Sequence, residues 1–180
     1  PAVAKAAIDS GVAKNPIKDW EQYEHQLKKR LGLDNKLLRN ITIKAQNNLK
    51  KVVFVEADNV KVLRAAQMAF EEGVAIPILL SKKNIIEGLM EEFAIELPDL
   101  EIIDPKSDNQ KEKRVSYGKV FFENRKRKGF TEYEAIQIMR ERNYSGSMMV
   151  DQGDADAMIT GVTRGYRTCI KPAIQCVGLR

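Results

Sequence analysis

The chain is poor in the residues that run many familiar chemistries. It holds one histidine, His25, and two cysteines, Cys169 and Cys176, in 180 residues. A lone histidine on an amphipathic N-terminal helix reads as a surface residue, and no metal-ligand cluster of the usual spacing accompanies it. Ser-His-Asp and Cys-His devices are therefore disfavoured, and no metal site is expected in this stretch. The two cysteines fall two turns apart on one expected helix, roughly 10 Å, beyond disulfide reach within it. They read as buried free thiols of a reducing, cytoplasmic setting. Neither nucleotide fingerprint, G-x-G-x-x-G or G-x-x-x-x-G-K-[ST], is present. No apolar run reaches membrane-spanning length, and the N-terminus lacks the residue order of a signal peptide. Internal repeats and low-complexity tracts are missing as well. The opening, PAVAK, carries no start methionine, so the numbering is expected to begin inside a longer protein.

What is present describes an ordinary globular protein, 43% hydrophobic and 31% charged, long enough for one domain with a core or one domain plus an appendage. The organising stretch is KVVFVEADNVKVLRAAQMAFEEGVAIPILL, from Lys51 to Leu80. Val52 to Val55 form an apolar, β-branched run that predicts a strand covered on both faces. Asp58 and Asn59 can cap a helix in which Val62, Leu63, Ala66, Ala69 and Phe70 recur at helical spacing, with Gly73 as its stop. Ala75 to Leu80 predicts a second strand, with Pro77 tolerable near its beginning. Strand, helix and strand joined by short connections predict a right-handed βαβ unit and a parallel sheet.

Around this unit, Pro1–Val12 predicts a small-residue helix, and Asn15-Pro16 a linker. Asp19–Leu31 predicts a helix striped with Trp20, Tyr23, Leu27 and Leu31, and Leu33–Leu49 a further helix. Ser81 can cap a helix through Phe93 with Ile85, Ile86, Leu89, Met90 and Phe93 inward. Glu101–Ile103 predicts a third strand and Lys111–Lys128 a basic helix. Thr131 caps a helix over Tyr133–Asn143 through the pattern Thr131-x-x-Glu134, and Ser145–Val150 continues helically. Ala157–Thr160 is the expected fourth strand, followed by the loop GVTRGYRT and a helix over Cys169–Val177.

Basic residues exceed acidic ones by five, 30 against 25, and the excess is concentrated. Positions 111, 113, 114, 119 and 125–128 are basic against only Glu112 and Glu123, which suits an anionic partner or a solvated helix face. At about 100° per residue, Arg125 and Arg114 land on the apolar face with Val115 and Gly118, whereas Lys126, Arg127 and Lys128 spread more widely. A guanidinium there requires a partner, either an internal carboxylate or an anionic ligand. The loop Gly161, Thr163, Arg164, Gly165, Tyr166, Arg167 is the second candidate, because ligands of parallel sheets sit beyond the carboxyl ends of strands and helix N-termini attract anions. A plain connecting turn is the alternative. Glu56 and Asp58 follow a strand end and could act as acids, although capping accounts for Asp58.

The Lys51–Leu80 stretch, ENRKRKGFTEYEAIQIM and DADAMITGV…IKPAIQCVG together resemble, in order and spacing, the N-terminal half of phosphate acetyltransferases. PAVAKAAIDSGVA and the Trp20/Tyr23 helix resemble the end of a malic enzyme catalytic domain, and large bacterial malic enzymes join these modules in this order. The resemblance implies an α/β fold, a three-layer αβα sandwich on a mainly parallel sheet of the phosphotransacetylase and isocitrate dehydrogenase type, incomplete here, plus N-terminal helices. It divides the chain into a malic tail and linker helix at 1–32 and half of the acetyltransferase-like module at 33–180.

The resemblance further implies a parent that decarboxylates malate to pyruvate with NADP and a divalent metal, held by residues upstream of Pro1. In this stretch it implies a site for acetyl-coenzyme A, or another phosphate-containing small molecule, formed by Arg125, Lys171, Thr163, Arg164 and Tyr166. It also implies a homo-oligomer. Two arginines of the family's first half face the substrate. One aligns with Arg125; the other aligns with Lys171, which keeps the charge and loses the planar fork. The family's catalytic serine, arginine and aspartate belong to its second half, so no catalytic residue and no bound cofactor are expected here. An active acetyltransferase is the rival reading. Nucleic-acid binding ranks last, because no recognition motif accompanies the basic run and Arg125 faces inward, and no membrane partner is expected.

Overall fold

The computed structural model describes residues 2–13, 17, 19, 20, 23, 27, 36–97 and 100–178. His25, the Asn15-Pro16 linker and most of the expected Asp19–Leu31 helix lie outside the described residues. The chain divides into two compact units, Pro1–Asn47 and Asn48–Arg180. The first contains α1 (Ala2–Asp9) and α2 (Lys36–Asn47), together with an edge-to-face contact of Trp20 and Tyr23, centroids 5.9 Å apart.

The second unit is built on four parallel strands, β1 (Lys51–Phe54), β2 (Ile76–Leu80), β3 (Glu101–Ile103) and β4 (Ala157–Ile159), in the order β3-β2-β1-β4. The apolar run of β1 is continuous because alternate residues enter different cores. Val53 and Val55 pack on one face of the sheet with Ile78 and Leu80, and Phe54 packs on the other with Leu79. Pro77 is tolerated for a local reason. Its neighbour Ile76 donates to the Lys50 carbonyl on the β1 side, so the Pro77 nitrogen faces the β3 side, where pairing begins only at Ile78.

Helices α3 (Val60–Glu71) and α4 (Lys83–Phe93) cover the Phe54 face through Val62, Leu63, Ala66 and Ile86. Helices α5 (Lys111–Arg125), α6 (Glu132–Ile138), α7 (Arg142–Asp151) and α8 (Tyr166–Cys176) cover the Val53 face. This is a three-layer α/β arrangement on a parallel sheet. Helix α7 lies against the strands because its small residues permit it. A Cβ on Gly146 would meet Met158 Sδ at 2.8 Å and Val55 at 3.3 Å, and every residue from Asn143 to Met149 is buried.

Several sequence expectations need correction. Asn59, not Asp58, caps α3, accepting the Lys61 N–H at 2.9 Å. Ser81 does not cap α4; it is buried, and Lys82 occupies the cap position without a side-chain bond. On α4 Ile86 is buried, whereas Ile85 and Phe93 are exposed. The helix expected over Tyr133–Asn143 stops at Ile138, and a new helix starts where Glu141 accepts the Tyr144 N–H at 3.1 Å. The capping box of Thr131 and Glu134 forms as expected. The last helix begins at Tyr166 rather than Cys169, so Tyr166, Arg167 and Thr168 belong to its first turn and Lys171 to its second.

Candidate functional site

The strand order sets the location. From β1 the chain moves outward through β2 to β3, then returns past β1 to add β4 on its other side. That reversal opens a crevice at the carboxyl ends of β1 and β4, the usual ligand position in open α/β sheets. Residues just beyond β1, Glu56 and Asp58, meet there the loop just beyond β4, Thr160–Gly165.

Glu56 is only 2% exposed. One carboxylate oxygen accepts the Gly161 N–H at 2.9 Å; the other accepts the Thr163 N–H at 2.6 Å and the Thr163 hydroxyl at 2.9 Å. The loop can aim these donors inward because Gly161 holds φ at +107°, a conformation that disfavours any side chain. The Thr160 hydroxyl lies 3.3 Å from Glu56 and donates to fully buried Asn143 at 2.7 Å. Burial opposes ionisation of Glu56, but the bonds from the Gly161 and Thr163 amides and the Thr163 hydroxyl outweigh it and hold its carboxyl pKa below the ordinary value. Two residues on, Asp58 takes both Arg142 guanidinium nitrogens at 2.7 and 2.8 Å. Those hydrogen bonds lower the Asp58 carboxyl pKa against the opposing effect of burial.

Each of these acids holds one wall of a cleft. Asp58 grips Arg142 at the start of α7, and Glu56 grips the loop that leads into α8. Between the two helices lies an opening of about 390 Å³ lined by Ile138, Glu141, Tyr144, Arg167, Thr168, Lys171 and Pro172. Arg167, Thr168, Lys171 and Pro172 share one stripe of α8, at spacings of one and four residues. Pro172 cannot donate to the Thr168 carbonyl one turn earlier, so that carbonyl lacks its intrahelical donor. The Glu141 carboxylate accepts from the Asn143 side-chain amide and the Tyr144 N–H, and against its one negative charge Arg167 and Lys171 bring two positive ones, so the cleft carries a net positive charge. Two cations beside a hydroxyl in the N-terminal half of a helix suit a phosphate or carboxylate group.

The residues expected to form one site are thus distributed. Lys171 and Arg167 line the cleft, while Tyr166 is 80% exposed and does not line it. Thr163 is tied to Glu56, and Arg164 lies close enough to act on the Asp58 charge. Arg125 resolves its inward position in a way the sequence did not suggest. Its Nε donates to the Gln175 carbonyl and its Nη2 to the Ile174 carbonyl, both at 2.8 Å, so it closes the C-terminal end of α8. It also lies near Tyr144, which hydrogen-bonds Gln175 and lines the cleft. Arg114 is satisfied in the same manner, by the carbonyls of Pro105 and Ser107. Neither guanidinium meets a carboxylate among the described residues.

Sequence reasoning missed Asn143 and Tyr144 and left Glu56 as a possible acid. The available signals were an acid directly after a buried strand and a helix, NYSGSMM, too small and too polar to be amphipathic. Among the described residues no group of three or more His, Cys, Asp or Glu side chains is placed to hold a metal ion, and no helix is long and apolar enough to cross a membrane.

Comparison with known proteins agrees with the fold. The family described as phosphate acetyl/butaryl transferase matches residues 36–180. An NAD-dependent malic enzyme of Rhizobium meliloti is 34% identical over 100% of this chain and 24% of its own length. An NADP-dependent malic enzyme of Salmonella typhimurium is 34% identical over 92% of the chain and 22% of its own length. A phosphate acetyltransferase of Thermoanaerobacterium thermosaccharolyticum is 33% identical over 78% of the chain and 42% of its own length. Among solved structures, the EutD phosphotransacetylase of Staphylococcus aureus superposes with a TM-score of 0.71 at 27% identity, over 81% of this chain and 43% of that one. The chain therefore spans about a quarter of the malic enzymes and under half of the acetyltransferases that it matches. In sequence and in fold, it belongs to the phosphate acetyl/butaryl transferase family.

Proposed function

We propose that this chain is the acetyltransferase-like part of a malic enzyme, and that its α7–α8 cleft receives the phosphate-bearing portion of acetyl-coenzyme A or a similar effector. The observation that carries the reading is coverage. Malic enzymes align along the whole chain, whereas the acetyltransferase aligns over 78% of it and the family match begins at residue 36. Malate decarboxylation, with NADP and a divalent metal, then belongs to residues outside this chain. Here the chain's own groups bind and orient: Arg167 and Lys171 supply charge, Thr168 a hydroxyl, and Tyr144 and Pro172 an apolar wall. A homo-oligomer in the cytoplasm, with no nucleic-acid partner, completes the proposal.

The test is an acetyl-coenzyme A titration of malate turnover in the intact protein. Arg167→Ala and Lys171→Ala should each raise the half-saturating concentration about ten- to a hundredfold, the worth of one charge-assisted bond. Half-saturation unmoved in both variants, with the protein folded, sinks the proposal. The second reading, a working phosphate acetyltransferase, is favoured by the 33% identity to one such enzyme. Against it stand lysine at 171 and the arginine-bearing loop at 164–167. Acetyl transfer from acetyl phosphate to coenzyme A by the intact protein would decide for it.

A further inference from the structure

We propose that Glu56 is a positioning residue: its buried carboxylate is the latch that fixes the Thr160–Gly165 loop and, through it, the first turn of α8 that presents Arg167 to the cleft. The argument starts from what burial does to a charge. A carboxylate that is 2% exposed is unfavourable by several kcal/mol unless nearly all of its lone pairs are used. Here they are used, and every donor comes from one loop about a hundred residues later in the chain: the Gly161 N–H, the Thr163 N–H and the Thr163 hydroxyl. The loop itself is exposed from Gly161 to Gly165. As a plain connection its polar groups could have been left to water, with an apolar residue at position 56, an exchange that in buried ionic sites is often neutral or stabilising. A buried acid satisfied only by a surface loop instead selects one conformation of that loop.

The selected conformation matters because the loop delivers the chain to the start of α8. Gly165 takes the N-cap position of that helix without a side-chain bond, and the first turn's own hold on the loop is a long Cys169 Sγ contact to the Arg164 carbonyl at 3.8 Å, so the direction of the helix start depends on what fixes the loop. Thr160 adds a second tie, donating to Asn143 of α7 at 2.7 Å, so the loop is referenced to both β1 and the opposite wall of the cleft. The latch rests on these contacts alone. Its consequence for ligand binding rests on the effector reading above.

The experiment is amide hydrogen exchange in the intact protein for wild type, Glu56→Gln and Asp58→Asn. Glutamine keeps the shape but must turn its NH2 toward one side of the cradle, facing either the Gly161 N–H or the two Thr163 donors, so at least one bond is replaced by a donor–donor clash. Exchange at 160–168 should then accelerate at least about tenfold in Glu56→Gln, with α4 and α5 unchanged. Asp58→Asn should accelerate the start of α7 and leave 160–165 as in wild type. If Glu56→Gln does not fold, Thr163→Val keeps the charge and both backbone bonds, losing only the hydroxyl bond, and should still give a several-fold local acceleration. Unaltered exchange at 160–165 in the folded variant, or equal acceleration throughout, overturns the proposal. Half-saturation by acetyl-coenzyme A, read on the same samples, should rise with the loop's exchange. A released loop with unmoved half-saturation leaves the latch standing and counts against the effector site, so the two ideas fail separately.

Discussion

Replacing Arg125 by alanine separates structural from ligand-binding use of a residue that the resemblance to phosphate acetyltransferases singles out. In the structure its guanidinium donates to the Ile174 and Gln175 carbonyls at 2.8 Å each, where the last α8 carbonyls would otherwise lack partners. One charge-assisted bond of this kind contributes roughly 1.5–3 kcal/mol, and the second shares the same cation, so the two do not add fully. A cation at a partly buried helix C-terminus contributes about 1 kcal/mol more. The expected loss is about 2–4 kcal/mol, which at a urea slope of roughly 1.5–2 kcal/mol per molar lowers the unfolding midpoint by about 1–2.7 M. Arg125→Lys, with one point donor in place of a fork, should recover about half of that loss. The assay is urea unfolding of the chain, followed by circular dichroism. A midpoint within about 0.3 M of wild type in Arg125→Ala would refute the capping role and return Arg125 to the ligand site.

Three further outcomes are expected. Gly118→Ala should destabilise the chain by about 1–3 kcal/mol despite alanine's better helix propensity, because its Cβ would meet the Ile136 Cα and Cγ1 at 2.7 Å and push α5 from α6; thermal unfolding checks this, and a stabilised variant refutes it. Glu56 and Asp58 both have carboxyl pKa values lowered by folding, so their stabilisation is full above the ordinary carboxylate range and is lost as pH falls through the lowered values; the urea midpoint should drop on acidification, and less steeply in Glu56→Gln. The Cys176 thiol, pushed up to about 12 by burial and by the Asp151 charge, should resist alkylation at neutral pH until the chain unfolds, and rapid labelling of the native protein would contradict that.

Elements whose signals are local can be read from the residues directly. Val52–Val55 reads as a doubly covered strand because neighbouring residues enter opposite cores, and Thr131 with Glu134 reads as a helix start because both partners of the box lie within three residues. The amphipathic pattern of Val62, Leu63 and Ala66 likewise needs no distant information. The helix break at Ile138–Glu141 was harder, since Glu141 caps through a side chain that is equally at home inside a helix. Tertiary structure decided the rest, because the partners are far apart in the chain. Helical angles put Arg125 on an apolar face but could not say that it would meet carbonyls fifty residues later. Glu56 looked like any acid after a strand until β4, placed beside β1 by the reversal of the sheet, brought Gly161 and Thr163 onto its carboxylate. A buried charge is tolerable only where donors converge on it, and that convergence is a property of the packed sheet rather than of any stretch of sequence.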